Sequence, residues 1–192
     1  MSVEHIIKAV SSRRTIYNLK QTLPAGVTVE KIQEIVQSIV KDVPTAFNSQ
    51  STRAIILTGA AHKKAWESVV AAMPNDDAKK RPASARDEAF GSIIFMTDSK
   101  TIQGLQEKFP AYSAMFPHFA DQANGAAQIS TWTALHQLNL GCNLQHYNTM
   151  IREALPADVP KEWEVAAQLV FGSVGAPAGE KTFIENPVKV YK

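Results

Sequence analysis

Cysteine occurs once in these 192 residues, at Cys142, so no disulfide can form within the chain. No N-x-S/T acceptor site is present either, and the two absences together suit a reducing compartment. Charge of one sign is scarce: 20 basic side chains against 18 acidic ones leave a formal +2. Bulk electrostatics therefore give no case for a nucleic-acid partner. Apolar runs last only a few residues, far short of the ~20 that span a bilayer. The opening stretch MSVEHIIKAVSSRR lacks a continuous apolar segment and places Glu4 and His5 inside it, unlike a secretory leader. These features predict a cytoplasmic chain. The triplet KKR at 79–81, followed by Pro82, reads as a solvated lysine-rich loop, with a nuclear signal as the alternative.

Cofactor and metal signatures are missing too. There is no G-x-G-x-x-G, no G-x-x-x-x-G-K-S/T and no G-x-S-x-G, and GSVG at 172–175 has the wrong length for a phosphate loop. One cysteine cannot build a thiolate zinc cluster, and His62, His118, His136 and His146 are too scattered to form a metal set. Cys142, in LGCNLQ, has no base or cation adjacent to it in sequence and reads as a small buried hydrophobe. We assign no metal site and no catalytic side chain.

What is present is a string of helices with short strands among them. Val3, Ile6, Ile7 and Val10 share one face of a helix over 3–12. Thr28 caps a second helix with the stripe Ile32, Ile35, Val36, Ile39, Val40 and Val43, ended by Pro44. AIILT (54–58) and SIIFMT (92–97) read as buried strands, and a helix over 61–73 turns Ala65, Trp66, Val69, Val70 and Met73 inward. PNDDAKKRPASARDEAF reads as a loop or short irregular helix. Another helix covers 99–109, and AYSAMFPHF is an aromatic connection. The longest helix spans Asp121 to Leu138 with Ile129, Trp132 and Leu135 inward and Gly141 as its stop. A short helix at 148–154 precedes the strand QLVFGSV (168–174) and a further strand VKVY (188–191). Short strands among dominant helices indicate an α+β or mixed sheet in one domain over 1–192. The tail 176–192 is too short to build its own core. Its VKVY needs a sheet edge, and a second subunit can supply one, which implies a dimer.

The stretch PTAFNSQSTR (44–53) raises a separate question. Residues 48–53 are all polar and contain no glycine, although they lead into a buried strand. Arg53 beside Asn48, Ser49 and Gln50 suits a planar ligand rich in donors and acceptors. Arg13 and Arg14 end the first helix, either as a simple capping pair or as contacts to an anion. Lys181 reads by itself as a solvated lysine.

The ordered series SSRRTIYNL, VPTAFNSQSTRAII, NGAAQISTWTALHQLNLGCNLQHYN, QLVFGSV and EKTF resembles the nitroreductase family of flavoproteins. The likeness is strongest to its small fungal branch, linked to fatty-acid regulation and oxidative stress. The resemblance covers nearly the whole chain. It implies a central, mostly antiparallel sheet surrounded by helices, in an intertwined homodimer with FMN held noncovalently at the interface. On that basis Arg13, Arg14 and Thr15, with Tyr17, meet the FMN phosphate, and Lys181 is the C-terminal cation at the same group. Asn48, Ser49 and Gln50 reach the ring or ribityl chain across the interface, and Gln145, His146 and Tyr147 lie near the flavin N5 edge. Better-known bacterial relatives carry an acidic residue and glycine where this chain has His146 and Tyr147. The implied activity is hydride transfer from NADH or NADPH to nitroaromatic or quinone acceptors in ping-pong order. A flavin-binding redox sensor with little turnover is the alternative. Phe116, Phe119 and Tyr147 are candidates to roof the pocket or to pack in an ordinary core.

Overall fold

A computed structural model describes residues 2–192. In chain order the elements are α1 (Val3–Ser12), β1 (Leu19–Lys20), α2 (Val29–Asp42), β2 (Thr52–Thr58), α3 (Gly59–Ala72), α4 (Asp76–Glu88) and β3 (Gly91–Asp98). There follow α5 (Ser99–Lys108), α6 (Phe116–Gln137), β4 (Leu140–Gln145), α7 (Asn148–Ala154) and β5 (Trp163–Val174), with 3-10 turns at Ala46–Asn48 and Pro110–Met115. β5 pairs antiparallel with β3 on one edge and with β4 on the other; β2 lies outside β3, and β1 adds to the end of β5.

Strand residues alternate between two faces, and both faces are covered. Ile94, Met96 and Val170 share a core with Trp66, Val69 and Ala85 of α3 and α4 and Ile151 of α7. Ile93, Phe95, Leu169 and Phe171 point the other way, onto Ile32 and Val36 of α2 and Trp132 and Leu135 of α6. This two-sided burial explains why IIFM and LVF, at the centres of these strands, are continuous apolar runs rather than alternating ones. The result is an α+β fold with an antiparallel sheet between two helical layers, as expected.

Several local expectations fail for identifiable reasons. The polar stretch after Pro74 is a regular helix, α4. Asn75 caps it by accepting from Ala78 N–H at 2.9 Å, and Lys79–Asp76 and Lys80–Asp77 pairs brace its first turns. Pro82 sits inside α4, where it forgoes one helix hydrogen bond and is buried instead. KKR therefore lies on a helix, not in a loop. α6 begins at Phe116, so part of the expected aromatic connection is its first turns. Ile129 is exposed on that helix because it sits about 200° round the axis from fully buried Ala127. Asn139, at φ 60°, makes the turn after α6, and Gly141 is inside β4. The strand at 188–191 does not form. Phe183, Ile184, Val188, Val190 and Tyr191 of the tail are exposed, as is the apolar stripe of α1.

A buried polar chain crosses the first core. Trp66 Nε1–H donates to Ser92 Oγ at 2.9 Å, Ser92 Oγ meets His62 Nδ1 at 3.1 Å, and His62 Nε2 meets the Ala85 carbonyl at 2.9 Å. These partners are all satisfied by a neutral imidazole carrying its proton on Nε2. Burial holds the His62 pKa below its ordinary 6.5, opposed by the bond to Ala85. The folded state therefore resists protonation where the unfolded chain accepts it. This contribution is intact above about pH 6.5 and is lost as pH falls below it. We expect the thermal midpoint to drop between about pH 7.5 and about pH 5.5. His62→Gln should be less stable at the upper pH and show a flatter profile. An unchanged slope in the variant would assign the pH dependence to other groups.

Candidate functional site

α1 stops at Ser12 because Arg13 leaves the helix in extended backbone, at φ −63° and ψ 118°. The chain then runs along the outer edge of β4. Thr15 forms a parallel bridge with Cys142, and Ile16 N–H donates to the Cys142 carbonyl at 2.8 Å. Gly141 permits this approach, since a Cβ there would lie 2.8 Å from Leu19 Cδ2 and 3.0 Å from Ile16 Cγ2. Side-chain amides extend the link: Asn143 Nδ2 donates to the Ile16 carbonyl at 3.0 Å, and Gln145 Nε2 to Asn143 Oδ1 at 2.8 Å. Arg13, Thr15 and Gln145 are thus fixed on one side of the sheet.

Arg13 is electrostatically unusual. Its guanidinium lies over the ring of Trp132, 4.2 Å from the centroid, and its Nε and Nη1 are buried without a hydrogen-bond partner. Among the described residues no carboxylate is within ion-pair distance of it. Burial lowers the Arg13 pKa from its usual value, and Arg14 adds to that effect. Cys142 beside it offers no counter-charge at neutral pH, because burial raises the thiol pKa well above its ordinary value. A half-buried cation with two unsatisfied donors is costly unless an anion meets it.

The C-terminal tail begins at the same place. Arg14 Nη2 donates to the Gly179 carbonyl at 2.7 Å, which holds the chain leading to Lys181 close to the basic motif. Lys181 itself is exposed, with Nζ 5.0 Å from the centroid of Phe183. Tyr17 turns elsewhere, its ring under Arg81 of α4 at 3.8 Å. At the end of β4, His146 is exposed and Gln145 half-buried. Tyr147 packs inward, edge-on to Trp66 with centroids 5.7 Å apart, so its ring is part of the core and not a roof. Phe116 is likewise core, packed with Ile102 and Ala120.

Asn48, Ser49 and Gln50 are on a strained loop. Phe47, Asn48 and Gln50 all have positive φ, near 50°, which non-glycine residues rarely adopt. Three anchors hold it: Gln50 N–H on Thr45 Oγ1 at 2.9 Å, Phe47 among the rings of Phe109, Tyr112 and Phe116, and Arg53 on the Gln50 carbonyl. Arg53 is committed further, to Asp98 at 2.9 Å, while Asp98 caps α5 through Thr101 N–H. Arg53, whose place in the sequence suits a planar ligand, also has a structural role through Asp98 and the Gln50 carbonyl.

This loop and the basic motif occupy opposite corners of the sheet. Thr15 aligns with Cys142 and Phe171, whereas Thr52 aligns with Thr97 and Glu164. Seven residues along β5 and four strand spacings across the sheet separate them by roughly 30 Å. Within one protomer, Asn48–Gln50 and Arg13–Thr15 are not brought together. Two clefts lie away from the basic motif. One, of about 570 Å³, opens between α5, α6 and the start of β5 and includes Gln103, Asn124, Gln128 and Glu164. The other, of about 820 Å³, separates α2 from the free edge of β2 and includes Val36, Val40, Gln50 and Arg53.

Sequence reasoning did not find Trp132 as the stacking partner of Arg13, nor Asn143 as a link to the N-terminal segment. Neither residue carries a local signal. Gln168 did carry one, as the only polar residue in QLVF, and it is fully buried.

The sequence profile described as the nitroreductase family matches residues 10–174. The nitroreductase FRM2 of Saccharomyces cerevisiae is 53% identical over 185 residues, covering 96% of each chain. A solved nitroreductase from the same yeast superposes with a TM-score of 0.87 at 52% identity, over 90% of this chain and 97% of that one. The nitroreductase CinD of Lactococcus lactis, solved in complex with 4-nitrophenol, gives 0.82 at 42% identity over 94% and 95%.

Because Arg53 joins the strained loop to Asp98, Arg53→Ala should cost about 1–3 kcal/mol of stability. It should also speed amide exchange across residues 46–50 by at least about tenfold. Exchange at wild-type rates would show that the loop is held by Phe47 and Thr45 alone.

Proposed function

The chain belongs to the nitroreductase family, and on that premise we propose that it is an FMN-dependent oxidoreductase acting as a homodimer. When bound, FMN supplies the redox chemistry, accepting hydride from NADH or NADPH and passing two electrons to a nitroaromatic or quinone acceptor in ping-pong order. The observation that carries this reading is the uncompensated Arg13. An FMN phosphate is a dianion that would offset the uncompensated Arg13 cation; Arg14, held to the Gly179 carbonyl, adjoins it in the chain, and Lys181 follows two residues further along the tail. Thr15, fixed against β4, adds a hydroxyl, and Gln145 and His146 at the strand's end would face the ring. Amide donors there would favour the anionic reduced flavin. The scheme requires no dedicated acid or base. Tyr17, turned to Arg81, is the weakest member of the set.

A second copy completes the site. A flavin is far shorter than the separation of roughly 30 Å between Thr15 and Thr52, so Asn48, Ser49 and Gln50 reach the same molecule only from a partner subunit. The exposed stripe of α1 and the exposed apolar residues of the tail support this assembly. β2 has a free edge beside the groove lined by Val36 and Val40, which suits strand addition by VKVY of the second copy. Residues 1–192 then form one domain whose tail, 176–192, packs on its partner. Described residues contain no helix long and apolar enough to cross a membrane. We place the enzyme in the cytoplasm, in a response to oxidative or nitrosative stress, consistent with reduction of such acceptors.

The purified protein should absorb near ~450 nm, and the band should bleach when NADH or NADPH is added anaerobically. A band that persists would assign a flavin-binding sensor, and no band after FMN addition would refute the reading. Arg13→Ala should weaken FMN binding by about 10- to 100-fold, the loss of one charge-assisted contact, with the dimer still folded. Unchanged affinity would remove Arg13 from the phosphate site. Ending the chain at Gly175 should convert the dimer to a monomer in sedimentation; a stable dimer with full flavin occupancy would contradict the tail exchange.

A further inference from the structure

Gln168 is fully buried in β5, between Ala167 and Leu169, where an apolar side chain would be the cheaper occupant. Both ends of its amide are nevertheless bonded. Oε1 accepts from Tyr147 N–H at 2.8 Å, Nε2 donates to Asn148 Oδ1 at 2.8 Å, and Asn148 Nδ2 donates to the Ala166 carbonyl at 3.1 Å. The orientation of both amides is fixed, because this chain of bonds starts at a backbone donor and ends at a backbone acceptor. We infer that Gln168, working through Asn148, is a positioning residue for the turn at 145–147, and so for the edge of the flavin site.

The location supports this assignment. β4 ends at Gln145, whose register partner in β5 is Gln168 itself, so regular sheet bonding runs out where the proposed ring contacts begin. The Gln168 amide replaces the missing ladder bond and holds Tyr147 N–H inside the protein. That N–H is therefore not a donor to the flavin, which narrows the candidates in this stretch to Gln145 and His146. Trp66 makes the second contact, receiving the Tyr147 ring edge-on. With Tyr147 anchored inward by backbone and ring, the adjacent His146 is at the surface. An apolar residue at 168 would leave Tyr147 N–H free to swing outward and let the turn relax.

The inference rests on the FMN reading, and the two can fail separately. The test measures FMN affinity by fluorescence quenching and the midpoint potential of the bound flavin in Gln168→Leu, Gln168→Glu and wild type. Gln168→Leu should lose affinity by about tenfold, the lower range for residues that orient a ligand-contacting group, and should shift the potential. Gln168→Glu reproduces both bonds only as the neutral acid, so it should stay near wild type in both at low pH and depart from it, in the direction of Gln168→Leu, once the carboxyl ionises and can no longer donate to Asn148 Oδ1. Ile32→Ala, a buried α2 change in the opposite core that also holds Trp132, should lower thermal stability but leave the potential alone. Asn148→Ala, from the half-buried start of α7, serves the same reading should Gln168→Leu not fold, and is expected to move both quantities in the same direction. Wild-type affinity and potential in the Leu or Asn148 variant would overturn the inference while leaving the FMN reading intact. An equal shift of the potential in Ile32→Ala would overturn it too, by reducing the effect to general destabilisation. A wild-type protein that binds no FMN would overturn both.

Discussion

Pairing of β5 on both of its edges is the constraint on which the remaining structure depends. β3 and β4 each form a long antiparallel ladder with it, and β1 closes on its last residues. A strand paired on both sides and packed on both faces favours apolar residues through its centre, as Leu169, Val170 and Phe171 are, and the one amide there, Gln168, is hydrogen-bonded at both ends. The N-terminal segment is then positioned indirectly. It lies on β4, and β4 lies on β5, so Arg13 and Thr15 have the sheet as their reference frame.

That frame explains why a charge can be held in an unfavourable place. Arg13 stacks on Trp132 of one helical layer while its neighbours are pinned to β4, so swinging the guanidinium to water would give up the contact with Trp132. The energetic cost of its unpaired donors is carried by the surrounding packing. The same logic applies to the loop at 46–50, whose left-handed residues are held by Arg53, Thr45 and the aromatic cluster around Phe47. In both cases the rigid part of the fold maintains groups that have incomplete bonding or strained backbone, and both sets are the ones assigned to FMN. The two sets sit at opposite corners of one sheet.

Helices with local signals were legible. Thr28 and Pro44 bound α2, and the periodic stripes of α1 and α3 lie where their spacing put them. α4 was not, because its stability comes from a cap, two short ion pairs and burial of Pro82 against neighbours, none of which is an apolar period. Ile129 was misplaced because a helix phase cannot be told from apolar residues alone when Ala and Thr line the buried face. β4 was missed as a strand, since LGCNLQ contains glycine and two amides. Those residues matter through Ile16, more than a hundred positions away.

The sequence by itself determined the chemical inventory: a lone cysteine, no metal set, a basic pair after a helix, and a polar row before a strand. It also determined where most helices start and stop, because caps and prolines act within one turn. Only the tertiary structure decided which of these groups are spent and which are free. Arg53 is spent on Asp98, 45 residues away, and Tyr147 is turned into the core by Trp66 and Gln168. Arg13 is left with buried, unpaired donors. The reason is that satisfaction of a polar group depends on partners brought in by the sheet, and sequence spacing does not encode those distances.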